Sequence, residues 1–508
     1  MAQRLASLAN PIKLLRHVNR DYETTLLYLT CLGFSGIPMK MAFKIISSDP
    51  IVDQGTSTIF KKIQLLTEKW GYVLAKTLRI ASKQSGGDLG QLMARLSHAV
   101  SAGISLKDFV KIEFQKFLAV SEAEFEKTVE RVKRLSEAYS ALLSSMGFLS
   151  VSFLLMAMIY GSGETVTILN VSVFSIAATL GCITMLFLRT NIRREVLHRN
   201  PNKPDGLIRL EKMTKPLTAS TLALLISGPF IVGGFVNSGG DWAMLTAALP
   251  LLTASPPLLI HGFLGSKWVK KATSSEAYLP MLMKSLGDYI TVTGSVYNAA
   301  KMMMLSDYGP LNRLIENLAT RLKAGIPQNL ALRNMGIETL SNLGYRALSI
   351  FGETLKAGGR ASEASAVLND FTTVVLLRDK KRKQAAGGLK GMVIPLQITL
   401  VAIFGLMQTL VGIFAEIAKL TQQFLNVMTP LPSGLVNTYF YAITLITALV
   451  SSLNIYLTDG DSVFTFTFNA GLLLAISGAS YLGVSILSGY ILSSFAAFGR
   501  ELTTLVVE

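Results

Sequence analysis

LLRDKKRKQAAGGLKGMVIPL, residues 376 to 396, sets Lys380, Lys381, Arg382 and Lys383 almost against a long stretch that carries no charge. Alone, such a run suggests nucleic acid, anionic lipid or a nuclear address. Its meaning depends on where the other cations lie. The chain has 508 residues, 50% of them hydrophobic, and a mean hydropathy of +0.45, too apolar for an ordinary soluble protein. Seven segments free of Asp, Glu, Lys and Arg, at 141–160, 166–188, 217–236, 242–263, 392–415, 435–457 and 469–494, are each long enough to cross a hydrocarbon core of about 30 Å as a helix.

The cations then sort. Residues 1–140 hold 20 Lys and Arg, residues 189–216 hold 8 and residues 264–390 hold 18, so that 46 of the 48 fall in three regions. Placing all three in the cytoplasm obeys the positive-inside rule and alternates correctly through seven crossings, with the N-terminus inside and the C-terminus outside. The opening run lies just cytoplasmic of the fifth crossing, where it anchors that helix at the anionic inner leaflet. No aromatic residue interleaves it, which argues against nucleic acid. The expected layout is a first cytoplasmic helical domain (1–140), four crossings with a basic cytoplasmic loop (141–263, loop 189–216), a second cytoplasmic helical domain (264–390) and three crossings (391–508).

MAQRLASLANPIKLLRHVNR at the start has no uninterrupted apolar core, so no secretory signal is expected, and its leucines and arginines fit a surface-lying amphipathic helix or one packed on the soluble part. Cys31 and Cys182, one in the expected cytoplasm and one in a crossing, are expected to stay unpaired. From Asp88, Leu89, Leu92, Leu96, Ala99, Gly103, Leu106 and Val110 recur at spacings of three and four, the apolar stripe of a helix, with a break expected at Gly103. EAEFEKTVERVKRLSEAY keeps the helical period and is expected to run into the first crossing. No segment alternates as a strand does. YVLAKTLRIASKQSGGDLGQLMARLSHAV (72–100) aligns without gaps on GYRALSIFGETLKAGGRASEASAVLNDFT (344–372), matching Gly86 and Gly87 with Gly358 and Gly359. In each copy a helix ends at a Gly-Gly turn where positive φ is expected, which suggests two duplicated helical bundles. The fold class is therefore all-α, a polytopic membrane protein with two cytoplasmic helical-bundle domains.

Chemistry is harder to find. There is no phosphate loop, HExxH, GxSxG or CxxC, and SGGDLG (85–90) lacks both the spacing and the preceding strand of a nucleotide fingerprint. The four histidines lie far apart without ligand-spaced partners, so no metal, cofactor or catalytic residue is assigned. Only His261 interrupts the crossings with an ionisable group, and the prolines and glycines there (Pro250, Pro256, Pro257, Pro395, Gly233, Gly234, Gly471, Gly478) are read as kinks or close-packing positions.

SGGDLGQLMARLSHAVSAGISLKDFVKIEFQKF (85–117), RLKAGIPQNLALRNMG (321–336) and SIFGETLKAGGRASEASAVLNDF (349–371) together resemble the type II secretion system F family, the membrane platforms of type IV pili, type II secretion systems and archaella. Four crossings between the bundles and three after them are similar to the archaeal branch. That resemblance implies a non-enzymatic platform, expected to be a homodimer, that carries the motion of a separate cytoplasmic hexameric ATPase to pilin-like or archaellin-like filament subunits, and in archaella to rotation. With 46 cations against 25 acids in the three inside regions, an acidic partner and the anionic leaflet are both favoured over nucleic acid. Arg193, Arg194, Arg199 and Lys203 of the loop, with Lys380, Lys381, Arg382 and Lys383, are the expected ATPase-facing contacts. A multi-pass transporter would instead need a midplane polar site, for which Asn170 and Asn454 are the candidates; a membrane enzyme lacks a catalytic constellation, and an adhesion pilus platform would share every feature above.

Overall fold

The computed structural model describes residues 22–160, 164–190, 204–235, 245–421 and 431–507, with residues 192, 194 and 196–198 of the loop between them. The expected helix over the first twenty residues lies outside that set. Among the described residues the chain is helical throughout. Its helices are α1 (22–34), α2 (Met39–Ser48), α3 (Gln54–Glu68), α4 (Leu74–Ser85), α5 (Gly87–Ser101), α6 (Leu106–Tyr160), α7 (Thr165–Thr190), α8 (Asp205–Phe235), α9 (Leu245–Ala277), α10 (Leu279–Thr293), α11 (Val296–Met303), α12 (Asn312–Lys323), α13 (Gln328–Glu338), α14 (Asn342–Lys356), α15 (Ala361–Thr421), α16 (Ser433–Asp459) and α17 (Val463–Val507). Seven of them are long and apolar enough to cross a membrane, each overlapping one expected segment. This is an all-α multi-pass membrane protein.

The chain divides into two compact units. The first takes residues 1–125, 196–203 and 270–379, and so gathers both copies of the internal repeat. They share one hydrophobic core, which runs from Leu26 and Tyr28 through Phe60 and Leu92 of the first copy to Leu286, Leu332, Phe351 and Leu368 of the second. A helical pair of that size leaves an apolar face that water penalises, and its duplicate supplies the cover. Polar ties also join the copies. Arg333 reaches Asp49 at 3.0 Å and Glu353 at 3.2 Å, while the Tyr28 hydroxyl donates to Asp49 at 2.6 Å. Burial pushes the Asp49 carboxyl above the usual carboxylate range, against the pull of Tyr28, Arg333 and the Ile51 amide.

The glycine turns are placed as the repeat implies. Gly103 has φ +74° between α5 and α6, and α6 then runs unbroken for 55 residues. Gly86 and Gly87 take φ of +60° and +54°, and Gly358 takes +82°. Gly359 has another reason to be glycine: a Cβ there would lie 2.7 Å from the Ser35 Cβ. At Gly358 nothing lies within 4 Å of an added Cβ, so only the backbone would object. Gly358→Ala should therefore cost about 1–2 kcal/mol, the left-handed penalty alone, as read by chemical denaturation of the detergent-solubilised protein.

The second unit takes residues 126–195, 204–269 and 380–508. Its helices meet through small residues and buried hydroxyls, as expected where lipid removes the hydrophobic drive between helices. Gly228 of α8 faces Pro250 of α9, where an added Cβ would come within 2.7 Å. The Tyr439 hydroxyl donates to the Ser150 carbonyl at 3.0 Å and shares a 2.8 Å bond with Ser172, joining α16 to α6 and α7. The Gln397 amide donates to Ser477 at 3.1 Å, tying α15 to α17. His261 is 5% exposed and bonds the Leu210 carbonyl at 3.1 Å and Thr467 at 3.3 Å, a tie between α8, α9 and α17. Gly471 and Gly478 are close-packing positions, with added Cβ atoms 2.8 Å from the Leu259 nitrogen and 2.7 Å from Leu252; the side-chain surroundings of Gly233 and Gly234 lie outside the described set.

Candidate functional site

The basic run at 380–383 sits within α15, whose turns point successive residues about 100° apart. Four consecutive cations therefore cannot share a face. Arg382 points inward, 1% exposed, and its guanidinium pairs with Asp461. Lys383 lies 3.8 Å from the same carboxylate, and Lys390 reaches Asp459 at 2.6 Å. Lys381 turns to Glu126 of α6 at 2.8 Å. Lys380 is exposed. Asp459, Gly460 and Asp461 make the turn from α16 to α17, so the run clasps the turn that follows the sixth crossing and holds both on one side of the membrane unit. Two acids in a short turn look like an ordinary solvated end, and sequence reasoning missed them; topology was the available signal, since six crossings put residue 460 on the side of residue 380.

Arg378, one turn before, belongs to the first unit. Its guanidinium donates to Glu122 at 2.9 Å and to Ser121 at 2.7 Å, pairing the starts of the two long helices α6 and α15 there. Lys107 reaches Glu363 at 3.1 Å in the same pair of helices.

The loop at 189–216 is also less free than its polarity suggests. Val196 and His198 pair backbone to backbone with Leu340 and Asn342: the Asn342 amide donates to the Val196 carbonyl at 2.8 Å, and the His198 amide to the Leu340 carbonyl at 3.2 Å. The His198 ring, 3% exposed, bonds the Ile337 carbonyl at 3.0 Å. Leu340 holds φ +60°, which a leucine adopts at a cost of about 1–2 kcal/mol and which this two-sided pairing sustains. The Ser341 hydroxyl in turn donates to fully buried Glu276 at 2.5 Å. Arg194 is half-buried in the loop, whereas Arg193, Arg199 and Lys203 lie outside the described residues. The structure thus brings the middle of the loop to the second repeat, and brings the 380–383 run to the α16–α17 turn.

Of the two candidates for a transport site, Asn170 is exposed on α7 and Asn454 is fully buried on α16. No group of three or more His, Cys, Asp or Glu that could hold a metal occurs among the described residues. Cys31 is buried and Cys182 exposed, both as free thiols, and burial raises the Cys31 thiol well above its ordinary value.

Comparison with known proteins bears on this arrangement. The flagella accessory protein J of Methanococcus voltae is 24% identical over 409 residues, 79% of this chain and 73% of that protein. The chain is similar to that protein over most of its length. The flagella accessory protein J of Methanocaldococcus jannaschii is 23% identical over 415 residues, covering 80% of this chain and 73% of that one. Matches of 409 and 415 residues are far longer than any one motif and must run across several membrane helices. No family model and no solved structure matches the chain.

Proposed function

We propose that this chain is the membrane platform of an archaellum or related type IV pilus-like machine. The observation that carries it is the similarity to two archaeal flagella accessory proteins over about four fifths of the chain. In this reading the first unit hangs in the cytoplasm with the N-terminus, the C-terminus is external, and the anionic inner leaflet meets the basic flanks. A homodimer receives the motion of a cytoplasmic hexameric ATPase and passes it to filament subunits, as assembly and as rotation. Support for a lever comes from α6 and α15, which run without a break from residues of the first unit into membrane crossings. We assign ATPase contact to Arg193, Arg194, Arg199 and Lys203 of the loop and to exposed Lys380, assign Lys381 to its pair with Glu126 of α6, and assign Arg382 and Lys383 to holding the α16–α17 turn.

Chromosomal deletion with complementation tests this. Deletion should abolish surface filaments in electron micrographs and swimming in soft agar, and the wild-type copy should restore both. Loss of attachment with swimming retained would make it an adhesion pilus platform. Intact filaments of every kind, with solute flux from proteoliposomes of purified protein, would favour the transporter instead.

A further inference from the structure

The two copies of the repeat differ at one place that the duplication should have made alike. In the second copy α13 and α14 pack through glycines: a Cβ on Gly336 would lie 2.9 Å from the Tyr345 Cα, and one on Gly352 would lie 3.1 Å from the Asn329 Cα. Continuing the ungapped repeat alignment sets Gln64 opposite Gly336 and Ile80 opposite Gly352. Of these two, Ile80 lines the space between α3 and α4, whereas the Gln64 amide turns back to Glu68 of its own helix at 3.1 Å. What opens between the two helices is a cleft of about 320 Å³ lined by Lys62, Ile63, Ile80 and Ala81, with Trp70 and Tyr72 at its end.

Its surroundings are unlike a surface left to water. Gly71, with φ +66°, turns the chain after α3 and presents Trp70 at 68% and Val73 at 72% exposure, beside Leu65 at 45%. A soluble face rarely shows large apolar side chains in such company unless something covers them. Between Gln54 and Ser85 the chain carries Lys61, Lys62, Lys69, Lys76, Arg79 and Lys83 against the single acid Glu68, and all six cations are exposed. The apolar floor and aromatic end, with Lys62 in the lining and Lys76 over the Tyr72 ring at 4.8 Å, give the cleft the apolar centre and basic edge of a docking pocket. A bilayer would wet Trp70 but leave the concave floor unfilled.

We propose that the α3–α4 cleft docks an acidic protein segment, which inserts a bulky apolar side chain against Ile63 and Ile80 and sets carboxylates against the lysine rim. This deepens the platform reading by giving a soluble partner's contact a chemistry, and rests on that reading only for the partner's presence in the cell.

Trp70 reports on its own site once Trp242 and Trp268, the other two tryptophans, are replaced. The test uses full-length W242F/W268F protein in lipid nanodiscs. Its probe is a helix-forming peptide with leucines at i and i+4 among glutamates. A glutamine-for-glutamate twin is the control. The glutamate peptide should shift Trp70 emission to the blue and saturate, should weaken as salt rises, and should bind about tenfold less tightly to K62E/K69E, whose changes lie on exposed side chains. Equal binding of the glutamine twin, no shift with either peptide, or a shift only with vesicles of anionic lipid would each overturn the proposal. Those outcomes leave the deletion phenotype, and with it the platform reading, standing on its own.

Discussion

Gly262→Ala is expected to unseat α9 from α17 and to leave the membrane unit unable to hold its fold in detergent. An alanine Cβ at that position would lie 2.4 Å from the Phe468 nitrogen and 2.5 Å from its Cα, so the obstacle is backbone rather than a side chain that could swing aside. Three residues on, a Cβ at Gly265 would meet the Phe464 ring at 2.0 Å, and from the other helix Gly471 and Gly478 approach Leu259 and Leu252. The seam thus has small residues on both partners over four helical turns, and opening it at one point also pulls His261 from Thr467. The loss should be about 4 kcal/mol or more, the range reserved for overpacked cores and broken networks. Size-exclusion profiles after graded heating would show it as early aggregation. Gly181→Ala is the control: nothing lies within 4 Å of a Cβ there, and alanine should be neutral or slightly favourable in mid-helix. If both variants survive heating alike, α9 and α17 do not cross as described.

What the sequence made legible follows from how strongly each signal is enforced. A membrane helix has no alternative to twenty or so uncharged residues, so all seven crossings could be read, and α6 and α15 could be followed into them. The Gly-Gly turns were equally readable, because positive φ excludes most other residues at Gly86 and Gly358. Partnership was harder. The stripe from Leu89 to Val110 announces a buried face without naming its cover, which includes α4, packed on α5, and α1, whose Gly33 lies against Leu106 and Val110, in a core that extends into the other copy of the repeat. Pairs such as Arg333 with Asp49 join residues 284 apart, which no local periodicity reports. The basic run was misleading in a different way: proximity in sequence suggested one surface, although helical rotation had to send at least one of its cations inward.

That inward cation sets the second large expectation. Asp461→Asn should destabilise the membrane unit by about 3–5 kcal/mol, because it takes from the Arg382 guanidinium, 1% exposed, a carboxylate that accompanies it out of water. Lys383 and Lys390 would then crowd a turn that has lost one of its two acids. Most of the damage should come from the under-compensated buried charge rather than from a lost bond, so Arg382→Met combined with Asp461→Asn ought to recover much of the melting temperature. Removing a well-solvated cation is a different matter: Lys380→Ala should change thermal stability by no more than about 0.5 kcal/mol, while weakening filament assembly if that ammonium faces the ATPase. Melting curves of the three variants, set beside motility of the corresponding strains, therefore separate the two duties of one run. An Asp461→Asn protein that melts with the wild type would mean that Arg382 keeps its hydration, and the clasp on the α16–α17 turn would have to be abandoned.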